Sequence, residues 1–254
     1  MVMIMLIDKT FVKPVKRVRL KDPVLIEGLP GIGLVGKLVA DLLIEQYKGV
    51  KIAEVYSPHL PHQVNMNKDG VITPTVLELY RIKVDKRDFI VLVGDVQPSS
   101  SEAQYEVNGR IVEYCKKLGC KEIITLGGYA TGVLKPKIKV HGAATDDDMV
   151  KRYSKYGVVF GKAKGAIIGA AGLLILLGKM NGIPGVCLMG ETHGGFIDPK
   201  AALNLIEVLK KSHNIEVNTE YLDKIAKANE ELLKELEEAE KDTKPDMSGL
   251  SYFR

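Results

Sequence analysis

The chain of 254 residues has no tryptophan, only 6% aromatic residues and three cysteines. Cys115, Cys120 and Cys187 form no CxxC pair and leave one unmatched. That excludes a zinc ribbon and a disulfide framework, and it points to a reducing compartment. An excess of charge of one sign is missing too. Lys and Arg number 36 against 32 Asp and Glu, a formal +4, scattered without interleaved aromatics, so no nucleic-acid partner is expected. No apolar run reaches the ~20 residues that span a bilayer. The longest, 166–177, stops at Gly178 and Lys179. The apolar start, 1–7, has neither a basic flank nor a small-residue cleavage site, and reads as a strand. A cytoplasmic protein without membrane contact is the expectation.

What is present is patterning. With 46% hydrophobic residues, a chain of this length builds a core without help from metal or disulfide. Apolar runs of strand length at 24–27, 52–56, 89–93, 122–126 and 186–189 alternate with helical patterns, as in an α/β sheet. Leu34, Val35, Leu38, Val39, Leu42, Leu43 and Tyr47 recur at three- and four-residue spacing, as do Ala103, Val107, Ile111, Tyr114 and Leu118. Each set makes one buried helical stripe. Ser99, Ser100 and Ser101 stand where the second helix needs a cap, and Gly119 where it ends. FIVLV and EIITL suit strands covered on both faces, which predicts a largely parallel central sheet flanked by helices. Asn67-Lys68-Asp69-Gly70 signals a hairpin between 64–66 and 71–73, and hence a mixed sheet. Asp198-Pro199 opens a helix over 200–211.

From Thr219 the character changes. Leu222, Ile225, Asn229, Leu232, Leu236 and Ala239 fall on an a/d seam whose other faces are acidic. From Lys241 on comes the polar KDTKPDMSGL, too poor in apolar residues to order itself. The reading is an α/β body over 1–218, an amphipathic helix over 219–241 and a tail over 242–254.

Several motifs could carry chemistry. GLPGIGLVGK at 28–37 follows a strand and enters a helix, and Gly31, Gly33 and Gly36 match GxGxxG. As a dinucleotide site it would present backbone N–H groups to a pyrophosphate. Its ribose partner would be Glu54, which lies inside a strand pattern and not at its end. As a phosphate loop it has Leu38 where Ser or Thr should hold magnesium. A tight turn or subunit contact that needs glycine explains the three residues as well. Asp146, Asp147 and Asp148 read as a metal cluster or as a helix cap, and the cap is the simpler reading. Glu191 and His193 stand after a strand, where α/β sheets carry ligands, without a third group to orient them. His59, His62, His141 and His213 read as solvated or hydrogen-bonded singles. The serines lack a nucleophile elbow. No catalytic residue, metal site or cofactor is assigned, and the chain is read as not an enzyme.

Tyr252, Phe253 and Arg254 form an aromatic end that would dock in apolar clefts of a partner while the terminal carboxylate pairs with a basic residue. Tucking against the chain's own domain is the other reading.

Taken together, GLPGIGLVG at 28–36, LGGYATG at 126–132, HGAATDDDMV at 141–150, GAAGLLILLGKMNGIPGVCLMGETHG at 169–194 and FIDPKAALNLIEVL at 196–209 resemble the proteasome assembly chaperone family, its archaeal homologues most of all. The resemblance covers about 22–211. It implies a phosphorylase-like α/β domain, homo-oligomers, and association with α-subunits of the 20S proteasome in place of catalysis. It also implies an activator-type terminus of a hydrophobic residue, Tyr, any residue and a carboxylate, in places held here by Tyr252, Phe253 and Arg254. Phe253 departs from that pattern by one phenolic hydroxyl, a hydrogen bond of ~0.5 to 1.5 kcal/mol. Two alternatives stand beside this reading. One is a carboxylate-amine ligase-like enzyme that binds nucleotide on the Gly31, Gly33 and Gly36 loop. The other is a self-assembling scaffold with packed tails.

Overall fold

The computed structural model describes residues 7–133, 137–162 and 165–229. The chain enters through β1 (Phe11–Pro14) and β2 (Val24–Glu27), turns through a glycine-rich segment into α1 (Val35–Gln46) and returns on β3 (Val50–Tyr56). A short hairpin, β4 (Val64–Met66) and β5 (Ile72–Pro74), precedes the long strands β6 (Leu77–Val84) and β7 (Arg87–Val93). Next come α2 (Ser101–Lys117), β8 (Glu122–Ala130), β9 (Val140–Ala144), α3 (Asp147–Ser154) and β10 (Val159–Phe160). α4 (Ala170–Met180), β11 (Gly185–Thr192) and α5 (Pro199–His213) follow, and residues 220–229 are helical.

Nine of the strands form one sheet in the order β1-β3-β6-β7-β2-β8-β11-β9-β10. β7, β2, β8 and β11 are parallel, and their runs are apolar because helices cover both faces. One face packs α1 and α5 on Val24, Ile26, Val91, Ile124 and Leu188. The other packs α2 and α4 on Leu25, Ile90, Leu92, Ile123 and Cys187. Alternate residues of single strands therefore feed separate cores. The predicted mixed sheet is present, but the hairpin is not what mixes it. β4 and β5 have three residues each and pair only with each other. The antiparallel members are β1, β3 and β6 on one side and β9 on the other.

The capping signals are realised. The Ser100 side chain accepts from the Ala103 amide at 3.1 Å, and the Asp198 side chain from the Ala201 amide at 2.9 Å, with Pro199 opening α5. Of the a/d seam, Leu222 is buried in the α1/α5 core and Asn229 donates its side-chain amide to the Ile197 carbonyl at 3.0 Å. Leu232, Leu236 and Ala239 lie outside the described residues, as do 1–6.

At the start of β8 a buried carboxylate fastens α3 and α5 to the sheet. Glu122 accepts from Arg152 Nη1 at 2.8 Å and from the Tyr153 hydroxyl at 2.6 Å, and His213 Nε2 lies 3.6 Å away. Burial pushes this carboxyl up, but His213, then Tyr153 and Arg152, outweigh burial and hold it at about 2 against an ordinary 4.5. A depressed carboxylate stabilises the fold above its unfolded value and stops doing so as pH falls through its folded one. Glu122→Gln is therefore expected to lower the unfolding free energy by about 3 kcal/mol near neutral pH. In denaturant titrations at a series of pH values, the difference from the parent should shrink below about 4.5 and vanish near 2.

Candidate functional site

α/β sheets place ligands beyond the carboxyl ends of their parallel strands. Here that end is built from the turn after β2, the end of β8 and the segment after β11. The three glycines of the GxGxxG match have different roles. Gly31 is extended (φ −155°), and a β-carbon built on it meets nothing within 4 Å. Gly33 has φ +64°, the left-handed region that disfavours side chains, inside the short 3₁₀ turn Ile32–Leu34. Its carbonyl accepts from the Asp198 amide at 2.9 Å, tying the turn to the start of α5. Gly36 lies in the first turn of α1, where a β-carbon would sit 2.2 Å from the Leu126 carbonyl oxygen. A β-carbon on Gly28 would meet the Gly36 carbonyl oxygen and the Ala40 β-carbon, both at 2.4 Å, and one on Gly128 the Ile32 carbonyl oxygen at 2.4 Å.

Gly28, Gly36 and Gly128 thus bring backbone against backbone, while Gly31 stands beside open space. Glu54, the candidate ribose partner, sits on β3, separated from β2 by β6 and β7, and is engaged by Lys51 and the Tyr56 hydroxyl. The dinucleotide arrangement is not assembled by these residues. Around the turn, Ile32, Val133 and Ile197 stand about half exposed.

Two polar residues that sequence patterning did not single out position this end. Gln97 donates to the Pro30 carbonyl at 2.5 Å, and its carbonyl oxygen accepts from the Ala170 amide at 3.1 Å, capping α4. One side chain thereby links the glycine turn to a helix on the opposite face. Glu27, the last residue of β2, is fully buried. Its Oε1 accepts from the Leu29 amide at 2.9 Å, while Oε2 has no hydrogen-bond partner among the described residues. Burial pushes the carboxyl up to about 8, against the pull of the Leu29 amide. It lies in one cross-strand row with Thr125 and Cys187, whose thiol burial likewise pushes up, to about 12.

The remaining candidates resolve one by one. Asp146 caps α3, accepting from the Met149 amide at 3.0 Å, while Asp147 and Asp148 are exposed. The Met149 amide, followed by the Thr145 hydroxyl, holds the Asp146 carboxyl below its usual range. Glu191 does not join His193. It pairs with His141 Nε2 at 2.9 Å, both buried, because the antiparallel β9 and β11 run side by side. His193 stacks on Phe196. Among the described residues no three His, Cys, Asp or Glu side chains gather as a metal-holding group. No helix among them is long and apolar enough to cross a membrane. Tyr252, Phe253 and Arg254 lie outside the described residues.

A cavity of about 540 Å³ opens on the α1 side of the antiparallel wing. Lys51 bridges Glu54 and Glu78, the Tyr56 and Tyr80 hydroxyls donate to those carboxylates, and Lys37 pairs with Asp41 and Asp95. Two lysines thus stand among five carboxylates, Asp41, Glu45, Glu54, Glu78 and Asp95.

The glycine assignments separate by substitution. Gly36→Ala is expected to cost at least about 3 kcal/mol or to abolish folding, since a carbonyl fills the space, and Gly33→Ala about 1 to 2 kcal/mol from the left-handed backbone. Gly31→Ala should stay within about 0.5 kcal/mol, as read in thermal and denaturant unfolding. Glu27→Gln tests the buried acid. A carboxyl whose folded value is raised loses stabilisation as pH rises from its unfolded value, 4.5, to its folded one, about 8. The glutamine variant should therefore gain stability on the parent by a few kcal/mol across that interval, seen as a parent unfolding midpoint that falls with pH while the variant's stays level.

Comparison with known proteins extends this description. The PAC2 family profile matches residues 25–237. A Methanocaldococcus jannaschii protein of uncharacterised function is 38% identical over 94% of this chain and 92% of its own. The crystal structure of Pyrococcus furiosus PbaB, an archaeal proteasome activator, superimposes with a TM-score of 0.84 at 37% identity, covering 90% of this chain and 99% of that one. Pyrococcus furiosus PbaA, an archaeal homologue of proteasome-assembly chaperone, gives 0.75 at 31% identity over 91% and 93%. With most of its length matched by the profile and by relatives above 30% identity, the chain belongs to the PAC2 family.

Proposed function

We propose that this chain is a homo-oligomeric, ATP-independent partner of the 20S proteasome that engages the α-ring through Tyr252, Phe253 and Arg254. The observation that carries the reading is the likeness to PbaB, which spans nearly the whole of both chains. The strand ends support it from another side. Where an α/β enzyme would keep a substrate, backbone packs on backbone, and the exposed side chains Ile32, Val133 and Ile197 suit a protein surface. In this reading the body multiplies chain ends. Several aromatic termini on one assembly raise effective concentration, so avidity exceeds one weak contact by ~10²-fold or more when the connections reach. The polar stretch 241–251 has the composition of a solvated linker, which lets termini reach pockets without matching symmetry.

PbaA supports a second role for the same contact, assistance in α-ring assembly. Peptide hydrolysis by preformed 20S particles, without ATP, reports activation. The rate at which separated subunits form particles reports assembly.

Removing residues 252–254 is expected to abolish co-sedimentation with 20S particles while leaving the unfolding midpoint of the body unchanged. Retention at full strength would defeat the proposal. Phe253→Tyr restores a phenolic hydroxyl and should tighten capture about 2- to 10-fold, the worth of one net hydrogen bond.

A further inference from the structure

The end of α2 brings together two cysteines that stand five positions apart in the chain. The Cys120 amide donates to the Cys115 carbonyl at 3.0 Å and the Gly119 amide to the Lys116 carbonyl at 2.9 Å, with Gly119 at φ +82°. These two bonds are the Schellman closure of a helix, whose usual companion is a side-chain contact between the residues that bracket it, here Cys115 and Cys120. Bond lengths on either side of the 3.0 Å contact keep the two Cα atoms within about 7 Å, and a disulfide closes at about 4.4 to 6.8 Å. Both side chains are buried in the core that α2 and α4 form with the sheet, Cys115 at 0% and Cys120 at 6% exposure. The Cys120 thiol donates to the Glu122 carbonyl at 3.2 Å, at the start of β8. Spacing alone does not pair them, since CxxxxC is no redox motif, and only the helix closure sets one beside the other.

The two thiols are unequal. Burial, followed by the neighbouring Cys120 sulfur, pushes the Cys115 thiol well above its ordinary range. Burial raises Cys120 as well, but backbone contacts at Glu122 and Leu25 pull against it. Cys120 is therefore the sulfur that ionises first, and it is also the one with an exposed edge. Cys187 stands apart from this pair, fully buried on β11 in the row of Glu27 and Thr125.

We propose that Cys115 and Cys120 form a reversible dithiol–disulfide site, closed by a small peroxide and opened by thiols, that staples the end of α2. The ionised Cys120 sulfur attacks one peroxide oxygen, the O–O bond breaks, hydroxide leaves with the proton Cys120 had lost as water, and Cys120 becomes a sulfenic acid. The Cys115 sulfur then attacks the Cys120 sulfur, the S–O bond breaks, and a second water leaves with the Cys115 proton. In sum, two thiols and one hydrogen peroxide give one disulfide and two waters. A thiol reductant returns the pair to the free thiols that the structure holds. A reducing compartment keeps the site open, and an oxidising pulse closes it. Once closed, the bridge fixes the corner between α2 and β8, next to the carboxylate of Glu122 that fastens α3 and α5 to the sheet.

The test treats the folded full chain with hydrogen peroxide at pH 7, 8 and 9, then unfolds it and counts thiols. The count should fall from three to one. Trypsin, which cuts after Lys116 and Lys117, should then release the 111–116 peptide joined to the 118–121 peptide. Closure should quicken about tenfold per pH unit, because the raised Cys120 thiol ionises above neutrality. In Cys115→Ala the reaction should stop at a Cys120 sulfenic acid captured by dimedone, and Cys120→Ala should leave Cys115 a thiol. The closed parent should unfold at a midpoint higher by about 4 to 8 °C, as a six-residue loop in a chain of this size implies, and dithiothreitol should reverse the gain. Three thiols surviving at pH 9, Cys187 lost as fast as the pair, or peptides that emerge unjoined would overturn the site. Joined peptides with an unchanged midpoint would overturn the staple.

Discussion

The carbonyl oxygen of Leu126 occupies the place where residue 36 would carry its β-carbon. That one approach lets the first turn of α1 lie directly on β8, and much of the carboxyl end of the sheet follows from it. With α1 so close, Gly28 must also be bare, because its own β-carbon would run into the Gly36 carbonyl oxygen and Ala40. The chain between them is then compressed into a 3₁₀ turn that holds Leu34 at φ +49°, a conformation costing a leucine about 1 kcal/mol. The cost is met by neighbours: Leu34 donates to the Gly31 carbonyl at 3.0 Å, Gly33 is latched by Asp198 and Pro30 by Gln97. GxGxxG spacing shared with dinucleotide folds thus arises here from close packing of helix on strand, one of the roles glycine has in those folds as well.

The same sheet holds two buried glutamates with opposite fates. Glu122 starts β8 and Glu27 ends the neighbouring β2. Around Glu122 a guanidinium, a phenol and an imidazole converge, and together they outweigh burial, so it remains a carboxylate. Glu27 receives the Leu29 amide at Oε1 and lies in one row with Thr125 and Cys187 of the next strands, and burial outweighs the Leu29 and Leu126 amides, so it retains its proton at neutral pH. The ionised glutamate pins α3 and α5 to the amino end of the sheet. The protonated one shapes the exit of β2 into the glycine turn, using a neutral acid where an unpaired charge would be intolerable.

How much of this could be read from sequence depends on the range of the interaction. Period and caps are local, so α1, α2, the parallel strands, the Asn67–Gly70 turn and the Ser100, Asp146 and Asp198 caps were legible in windows of a few residues. β6 was passed over although its apolar and polar residues alternate, because Tyr80 and Arg81 blur the pattern on a half-covered face. Pairing is not local. Glu191 meets His141 across 50 positions because β9 lies antiparallel to β11, and His213 meets Glu122 across the fold, whereas both histidines looked isolated in the chain. Gln97 carries no motif at all, since its role exists only once Pro30 and Ala170 are brought together. The mixed character of the sheet was anticipated from a hairpin that stays outside it. A turn signal specifies that two strands pair, not which sheet receives them.

The distribution of satisfied and unsatisfied surface bears on what kind of protein this is. In the polar cavity, Lys51 bridges Glu54 and Glu78, Lys37 pairs with Asp41 and Asp95, and both tyrosine hydroxyls are engaged, so those groups are occupied structurally. General acid–base chemistry asks for a group whose proton is free to move toward a substrate, and salt-bridged partners resist that. Exposed apolar side chains include Val64, Met66 and Ile72 on the hairpin, Leu176 and Met180 on α4, and Ile32, Val133 and Ile197 at the strand ends. Apolar surface is relieved by another surface of matching shape and not by a small charged ligand. Exposed apolar side chains of this kind suit contact with protein, which agrees with the function proposed above.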